Sequence, residues 1–158
     1  MSQTRAILDL MRLNFLSVYG GGTARGLRIV WPMQGLHLTA DLYHCQCAPS
    51  WLVDASALGL RCVAAVESAG LQAVAQVFHT FPAAAHGPSR VTATVLLAES
   101  HLCVHTWPEQ GAVTLDVYVC NFGGDHSAKA QALMDALLAL FAPRQVRRHQ
   151  LQRGAIDA

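Results

Sequence analysis

Between residues 91 and 120 the chain carries three β-rich runs, 91–97, 102–106 and 112–120, parted only by short breaks at Glu99-Ser100 and at 108–111. Runs separated this tightly predict an antiparallel meander. Upstream, Leu36, Leu38, Ala40 and Leu42 alternate with His37, Thr39, Asp41 and Tyr43, the period of a strand that buries one face. Two amphipathic stretches complete the pattern. Residues 51–69 read as a helix ended by Gly70, and residues 128–141 as a helix capped by Asp125 and Ser127 and stopped by Pro143. Strand-like chemistry returns over 71–78 and 146–151, with a loop rich in Ala, Gly and Pro from 82 to 89. Strands and helices in this order predict an α+β two-layer sandwich, a largely antiparallel sheet with helices covering one face.

The other face of such a sheet needs a cover. Of the 158 residues 53% are hydrophobic and only 13% charged, which favours packing that face against a second subunit, as a homodimer of αββα layering or a higher homo-oligomer. Residues 35–158 are expected to form one domain. Residues 1–34 form an N-terminal extension, with near-helical apolar spacing over 4–18 before Gly20-Gly21-Gly22.

A net charge of +1, with no basic run longer than Arg147-Arg148, argues against a nucleic-acid partner and points to a small-molecule substrate. No apolar run is long enough to cross a bilayer, and Arg5, Asp9 and Arg12 interrupt any signal-peptide core, so no membrane partner and a cytoplasmic location are expected. Five cysteines without regular spacing fit reduced thiols in that compartment.

Reactive side chains are densest from Glu99-Ser100-His101 through Cys103, His105 and Glu109, with Asp116 and Cys120 on the following run. On a strand over 102–106, His101, Cys103 and His105 share one face and Leu102 and Val104 the other. A metal site from His101, Cys103, His105 and Cys120 is disfavoured, because ligands alternating on one strand match no recognised zinc spacing, and no metal is expected. Packing with satisfied hydrogen bonds would account for any one of these residues alone, but poorly for the whole cluster.

Glu99-Ser100-His101, His105-Thr106-Trp107-Pro108-Glu109 and Cys120 resemble the motifs of the prokaryotic S-adenosylmethionine decarboxylase proenzymes. The likeness extends to Gly35-Leu36-His37-Leu38 with Asp41, Tyr43 and Cys45, to Phe78-His79-Thr80-Phe81, and to Val146 and Arg153-Gly154. It implies a pyruvoyl-dependent carboxy-lyase that cuts itself between Glu99 and Ser100, into a β chain of residues 1–99 and an α chain of residues 100–158. Ser100 would be the precursor of the covalent pyruvoyl group, which forms a Schiff base with the substrate amine and serves as the electron sink. By the same resemblance His105 is the processing base, Thr92 assists cleavage, and Cys120 is the proton donor in decarboxylation. Glu109 would hold the ribose hydroxyls and Phe81 would stack on adenine.

Thr92 as an ordinary strand residue and Cys120 as a buried strand thiol are the competing readings at those positions, and Trp107 is read as a core residue in preference to a second stacking residue. The segment from 81 to 92 is longer than in compact members of the family, Cys103 stands where a small hydroxyl residue is usual, and residues 1–34 have no counterpart. The activity implied is decarboxylation of S-adenosylmethionine to the aminopropyl donor for spermidine. The alternatives are a pyruvoyl decarboxylase of a basic amino acid such as ornithine or arginine, and a non-catalytic regulatory homologue.

Overall fold

The structure is a computed structural model that describes residues 34–83 and 87–154; the expected helix over 4–18 lies outside them. Six strands form one antiparallel sheet: β1 (Gly35–Cys45), β2 (Ala73–Phe81), β3 (Arg90–Leu97), β4 (Ser100–Trp107), β5 (Ala112–Cys120) and β6 (Pro143–Arg153). Their spatial order is β2-β3-β4-β5-β1-β6. The meander of β3, β4 and β5 is the one the short breaks predict, and β2 pairs with β3 at its edge. β1 then slots between β5 and β6, with Leu38 opposite Val117 on one side and Gln150 on the other.

Alternation decides which face is covered. Leu36, Leu38, Ala40 and Leu42 of β1, Val91, Ala93 and Val95 of β3, Leu102 and Val104 of β4, and Val113, Leu115, Val117 and Val119 of β5 are all buried. Against them lie α1 (Ser50–Val53), α2 (Ala55–Ser68) and α3 (Ser127–Phe141). Leu58, Cys62 and Val66 of α2 and Leu133, Met134, Leu137 and Phe141 of α3 have no exposed surface. Each such large apolar side chain contributes about 1.5–3 kcal/mol relative to exposure.

The single helix expected over 51–69 is two. Asp54 takes an extended conformation, and its Oδ1 accepts from the Ser56 and Ala57 N–H groups at 2.8 and 3.3 Å, starting a new helix there. At α3 Asp125 accepts from the Ser127 N–H at 2.9 Å, while no side chain caps from the N-cap residue His126 itself. Thr106 is the buried polar side chain of the described core. Its hydroxyl donates to the Leu52 carbonyl at 2.6 Å and accepts from the Val91 N–H at 2.8 Å, tying α1 to β3 and β4.

The opposite face carries the chemistry. His37, Thr39 and Asp41 of β1, Thr92 and Thr94 of β3, His101, Cys103 and His105 of β4, and Thr114, Asp116 and Tyr118 of β5 meet one another in cross-strand register there. Val77, Phe81, Leu96, Trp107 and Leu151 are exposed apolar side chains among them. No described helix is long and apolar enough to cross a membrane.

Candidate active site

β3 and β4 are joined by Ala98 and Glu99 alone, and Ser100 is already paired with Leu97 and Val119. Reaching that register after so short a turn forces Ser100 to φ 155°, a region non-glycine residues avoid and occupy only under constraint. The carbonyl immediately before it is also held: the Cys120 backbone N–H donates to the Glu99 carbonyl oxygen at 2.8 Å. The Glu99-Ser100 peptide is therefore strained on one side and polarised on the other. Glu99 Oε2 is buried without a hydrogen-bond partner among the described residues.

Gly35 lies opposite Cys120 on β1. A Cβ there would collide with the Val119 carbonyl oxygen and come within 2.9 Å of the Tyr118 ring. Glycine is thus what allows β1 to close on the strand that holds Cys120.

Thr92 and His105 form a second group. They are cross-strand partners, and Thr92 Oγ1 lies 2.7 Å from His105 Nδ1. Glu109 belongs to a third, on the 3₁₀ turn Pro108–Gln110 that ends at Gly111 with φ 56°. Its Oε1 pairs with Arg90 Nη2 at 2.7 Å, and the Arg90 guanidinium lies 5.3 Å over the Trp107 ring. Phe81 is in register with Arg90. The depression beside Trp107, bordered by Asp41, Tyr43 and Thr114, holds about 290 Å³, at the small end for a ligand site.

The structure brings the Glu99-Ser100 peptide to the Cys120 backbone, Thr92 to His105, and Phe81 to the neighbourhood of Glu109, but it does not unite these groups within one chain. Positions 100 and 105 on a single strand stand roughly 17 Å apart at about 3.3 Å per residue. Trp107, beside Glu109, is farther still. Nor do His101, Cys103 and His105 converge. Each is taken by a neighbour: His101 by Asp116, Cys103 by Thr94 with Sγ 3.5 Å from Oγ1, and His105 by Thr92. Among the described residues no group of three or more His, Cys, Asp or Glu could hold a metal ion.

The sequence pattern did not reveal the partnership around Asp116. Its Oδ2 lies 2.8 Å from His37 Nε2 and its Oδ1 3.2 Å from His101 Nε2, so one carboxylate bridges imidazoles from β1 and β4. Tyr118 packs against both rings, at centroid distances of 5.6 and 5.9 Å. Cys45 and Cys62 pack in or against the core instead. Burial, reinforced by Cys47, pushes Cys45 up to about 11, and burial pushes Cys62 up to about 12.

Comparison with known proteins fits this geometry. A family model described as S-adenosylmethionine decarboxylase matches residues 36–154. The chain belongs to the S-adenosylmethionine decarboxylase family. It is 36% identical over 123 residues to an S-adenosylmethionine decarboxylase proenzyme of Aquifex aeolicus, covering 78% of this chain and 83% of that one. With the proenzyme of Acidithiobacillus ferrooxidans it shares 36% over 123 residues, 78% and 84% of the two chains. The crystal structure of the adenosylmethionine decarboxylase from Aquifex aeolicus superposes with a TM-score of 0.68 at 31% identity, covering 80% of this chain and 96% of that one. The α+β architecture is thus that of a decarboxylase family, and an enzyme of this family is what the chain is.

Proposed function

We propose that the chain cuts itself at Glu99-Ser100 and then decarboxylates S-adenosylmethionine, giving the aminopropyl donor for spermidine synthesis. The observation that carries the reading is the strained Ser100 behind a carbonyl already bonded to the Cys120 N–H. Attack of the Ser100 hydroxyl on the Glu99 carbonyl carbon breaks the amide C–N bond, forms an ester at Ser100 Oγ and frees the Ser100 amine. The Cys120 N–H is aimed where negative charge grows on the carbonyl oxygen. Removal of the Ser100 α-proton then expels the ester oxygen as the Glu99 carboxylate. The enamine left behind tautomerises and loses ammonia to water, so that residue 100 ends as a pyruvoyl group. Strain that favours leaving the starting peptide is consistent with a single-use reaction.

Residue 100 fits the group on this ground, since its backbone is strained and the carbonyl before it already accepts a hydrogen bond. Once formed, the pyruvoyl group supplies a ketone that condenses with the substrate amine and an adjacent amide carbonyl that accepts the electrons released with carbon dioxide. Cys120 Sγ is the proton donor to the substrate carbon that loses its carboxylate. The Glu109 carboxylate accepts from the ribose hydroxyls through the oxygen that Arg90 does not occupy, and Phe81 stacks on adenine.

His105 and Thr92 serve the Ser100 of a partner subunit. The chemically equipped sheet face, its exposed Val77, Leu96, Trp107 and Leu151, and the separation of the three groups support a homodimer. In it the two faces pack together with the His105 end of one chain over the Ser100 end of the other. Sheets packed face to face lie about 10 Å apart, close enough for side chains from both to meet. Five free thiols support a cytoplasmic, reducing location.

Carbon dioxide release by the purified protein, measured in parallel with S-adenosylmethionine, ornithine and arginine, tests the activity. The reading expects release from S-adenosylmethionine, and none from a Ser100→Ala chain. Release from a basic amino acid alone would overturn the substrate assignment, and no release from any of the three would favour a non-catalytic homologue.

A further inference from the structure

We infer that Asp116 is a positioning residue that holds the pyruvoyl-bearing end of the cleaved chain, by bridging His101 and His37; this rests on the reading of Ser100 as the cleavage site. Before cleavage the Ala98-Glu99 turn tethers residue 100 covalently. After cleavage residue 100 is a chain terminus at the edge of a released turn, and termini fray unless something ties them down. The electron-accepting carbonyl of residue 100 is joined directly to the His101 nitrogen. Whatever fixes His101 therefore fixes the reactive end.

His101 is fixed by a chain of contacts that the decarboxylation steps do not use. Its Nε2 lies 3.2 Å from Asp116 Oδ1, and the other carboxylate oxygen lies 2.8 Å from His37 Nε2. A carboxylate only accepts, so both imidazoles donate to it through Nε2–H. His37 Nδ1 is then free to accept from Arg153 Nη1, 3.4 Å away, while the Arg153 guanidinium lies 5.3 Å over the Tyr118 ring that both imidazoles touch.

The fragments involved give the bridge its purpose. His37 belongs to residues 1–99, whereas His101, Asp116, Tyr118 and Arg153 belong to residues 100–158. The carboxylate thus stitches the two products of cleavage across β1, β5 and β4, one residue from the new terminus. Within a single chain these pairs are partly exposed, with side-chain exposures of 20, 36 and 37% for His37, His101 and Asp116, and add little to the stability of that chain. Local orientation is what they can supply. Outer partners that orient the ligands of a metal site cost roughly 10- to 100-fold in activity when removed, and an effect of the same order is expected for Asp116 acting through His101.

The test compares Asp116→Ala and Asp116→Asn with Asp135→Ala, which removes only the exposed Arg148–Asp135 pair on the helix side. Each is made in the native chain and in a Ser100→Ala chain that keeps its tether. Intact mass reports cleavage, carbon dioxide release reports kcat and KM, and amide hydrogen exchange reports residues 101–104. Both Asp116 variants should cleave. Asp116→Ala should lose roughly 10- to 100-fold in kcat with KM changed by less than about twofold, and Asp116→Asn, which keeps one acceptor, should lose less. Exchange at 101–104 should rise in cleaved Asp116→Ala and stay at the parental level in the Ser100→Ala background, with Asp135→Ala unchanged throughout.

Unchanged kcat in Asp116→Ala, or failure of that variant to cleave, would overturn the inference. Equal rises in exchange in both backgrounds would also overturn it, because a merely structural role does not distinguish tethered from cleaved chain. If Asp116→Ala does not fold, the same contrast in Asp116→Asn decides. A native chain that never cleaves overturns the inference together with the reading on which it rests, whereas a cleaved native chain with an indifferent Asp116 overturns the inference alone.

Discussion

Ser100 and His105 both sit on β4, roughly 17 Å apart at about 3.3 Å per residue, whereas a base must come within about 3 Å of the proton it takes. No side-chain rotation closes that gap, because an extended imidazole reaches only a few ångströms beyond its Cα. On the proposed role of His105 as the processing base, it must act on the Ser100 of a second chain, and two individually defective variants should rescue each other. A Ser100→Ala chain has no cleavable serine but keeps His105. A His105→Ala chain keeps Ser100 but lacks the base, and alone should process slower by roughly 10²- to 10⁴-fold.

In a mixed dimer one site is complete and the other doubly defective. Co-expressed in equal amounts and assembling at random, about half of the His105→Ala chains pair with a Ser100→Ala chain. That half should cleave and the rest should not. Tags of different mass let intact mass spectrometry count each species. No cleavage of His105→Ala chains in the mixture would refute processing between chains, as would unimpaired cleavage of His105→Ala on its own.

Three other outcomes are expected. Cys120→Ala keeps the backbone N–H that polarises the Glu99 carbonyl, so it should cleave normally and then decarboxylate slower by roughly 10²- to 10⁴-fold for want of the proton donor; intact mass and carbon dioxide release separate the two effects. Phe141→Ala empties the fully buried end of α3 and should cost about 3–5 kcal/mol in denaturant unfolding of the Ser100→Ala chain. Burial raises Cys62 from 9.0 to about 12, so the folded state keeps its proton where the unfolded thiol loses it. Its contribution is intact below pH 9 and falls as pH rises toward 12, which the slope of stability against pH should show, and Cys62 should be the last thiol alkylated in the native protein.

The sheet was legible because alternation is local. Leu36 to Leu42 declare a buried face, and the three runs from 91 to 120 lie too close together to pair otherwise than as a meander. The placing of β1 between β5 and β6 was not, since pairing over such separations is decided by which apolar faces fit once the meander exists. Nor did periodicity register Asp54, because Leu52 and Leu58 bury on the same side whether or not the helix is interrupted between them. Pro143 stops α3 as its chemistry requires, and it then opens β6, where an edge strand has no need of the missing N–H.

At the site, residue types and order were readable from Glu99 to Cys120, but distance was not. Ser100 and His105 look adjacent in a motif and are held apart by the extension of the strand that joins them. Asp116 was visible as one acid among several. Only the register that sets it across from Cys103 and Thr39, between two histidines of neighbouring rows, gives it a task.

Intact mass spectrometry of the purified native protein under denaturing conditions tests the central claim most directly. Two fragments meeting between Glu99 and Ser100 are expected, the first ending in a free carboxylate and the second lacking a free amine at residue 100 and carrying a ketone that reacts with a hydrazine. A single full-length mass, or a cut elsewhere in the chain, would contradict the account.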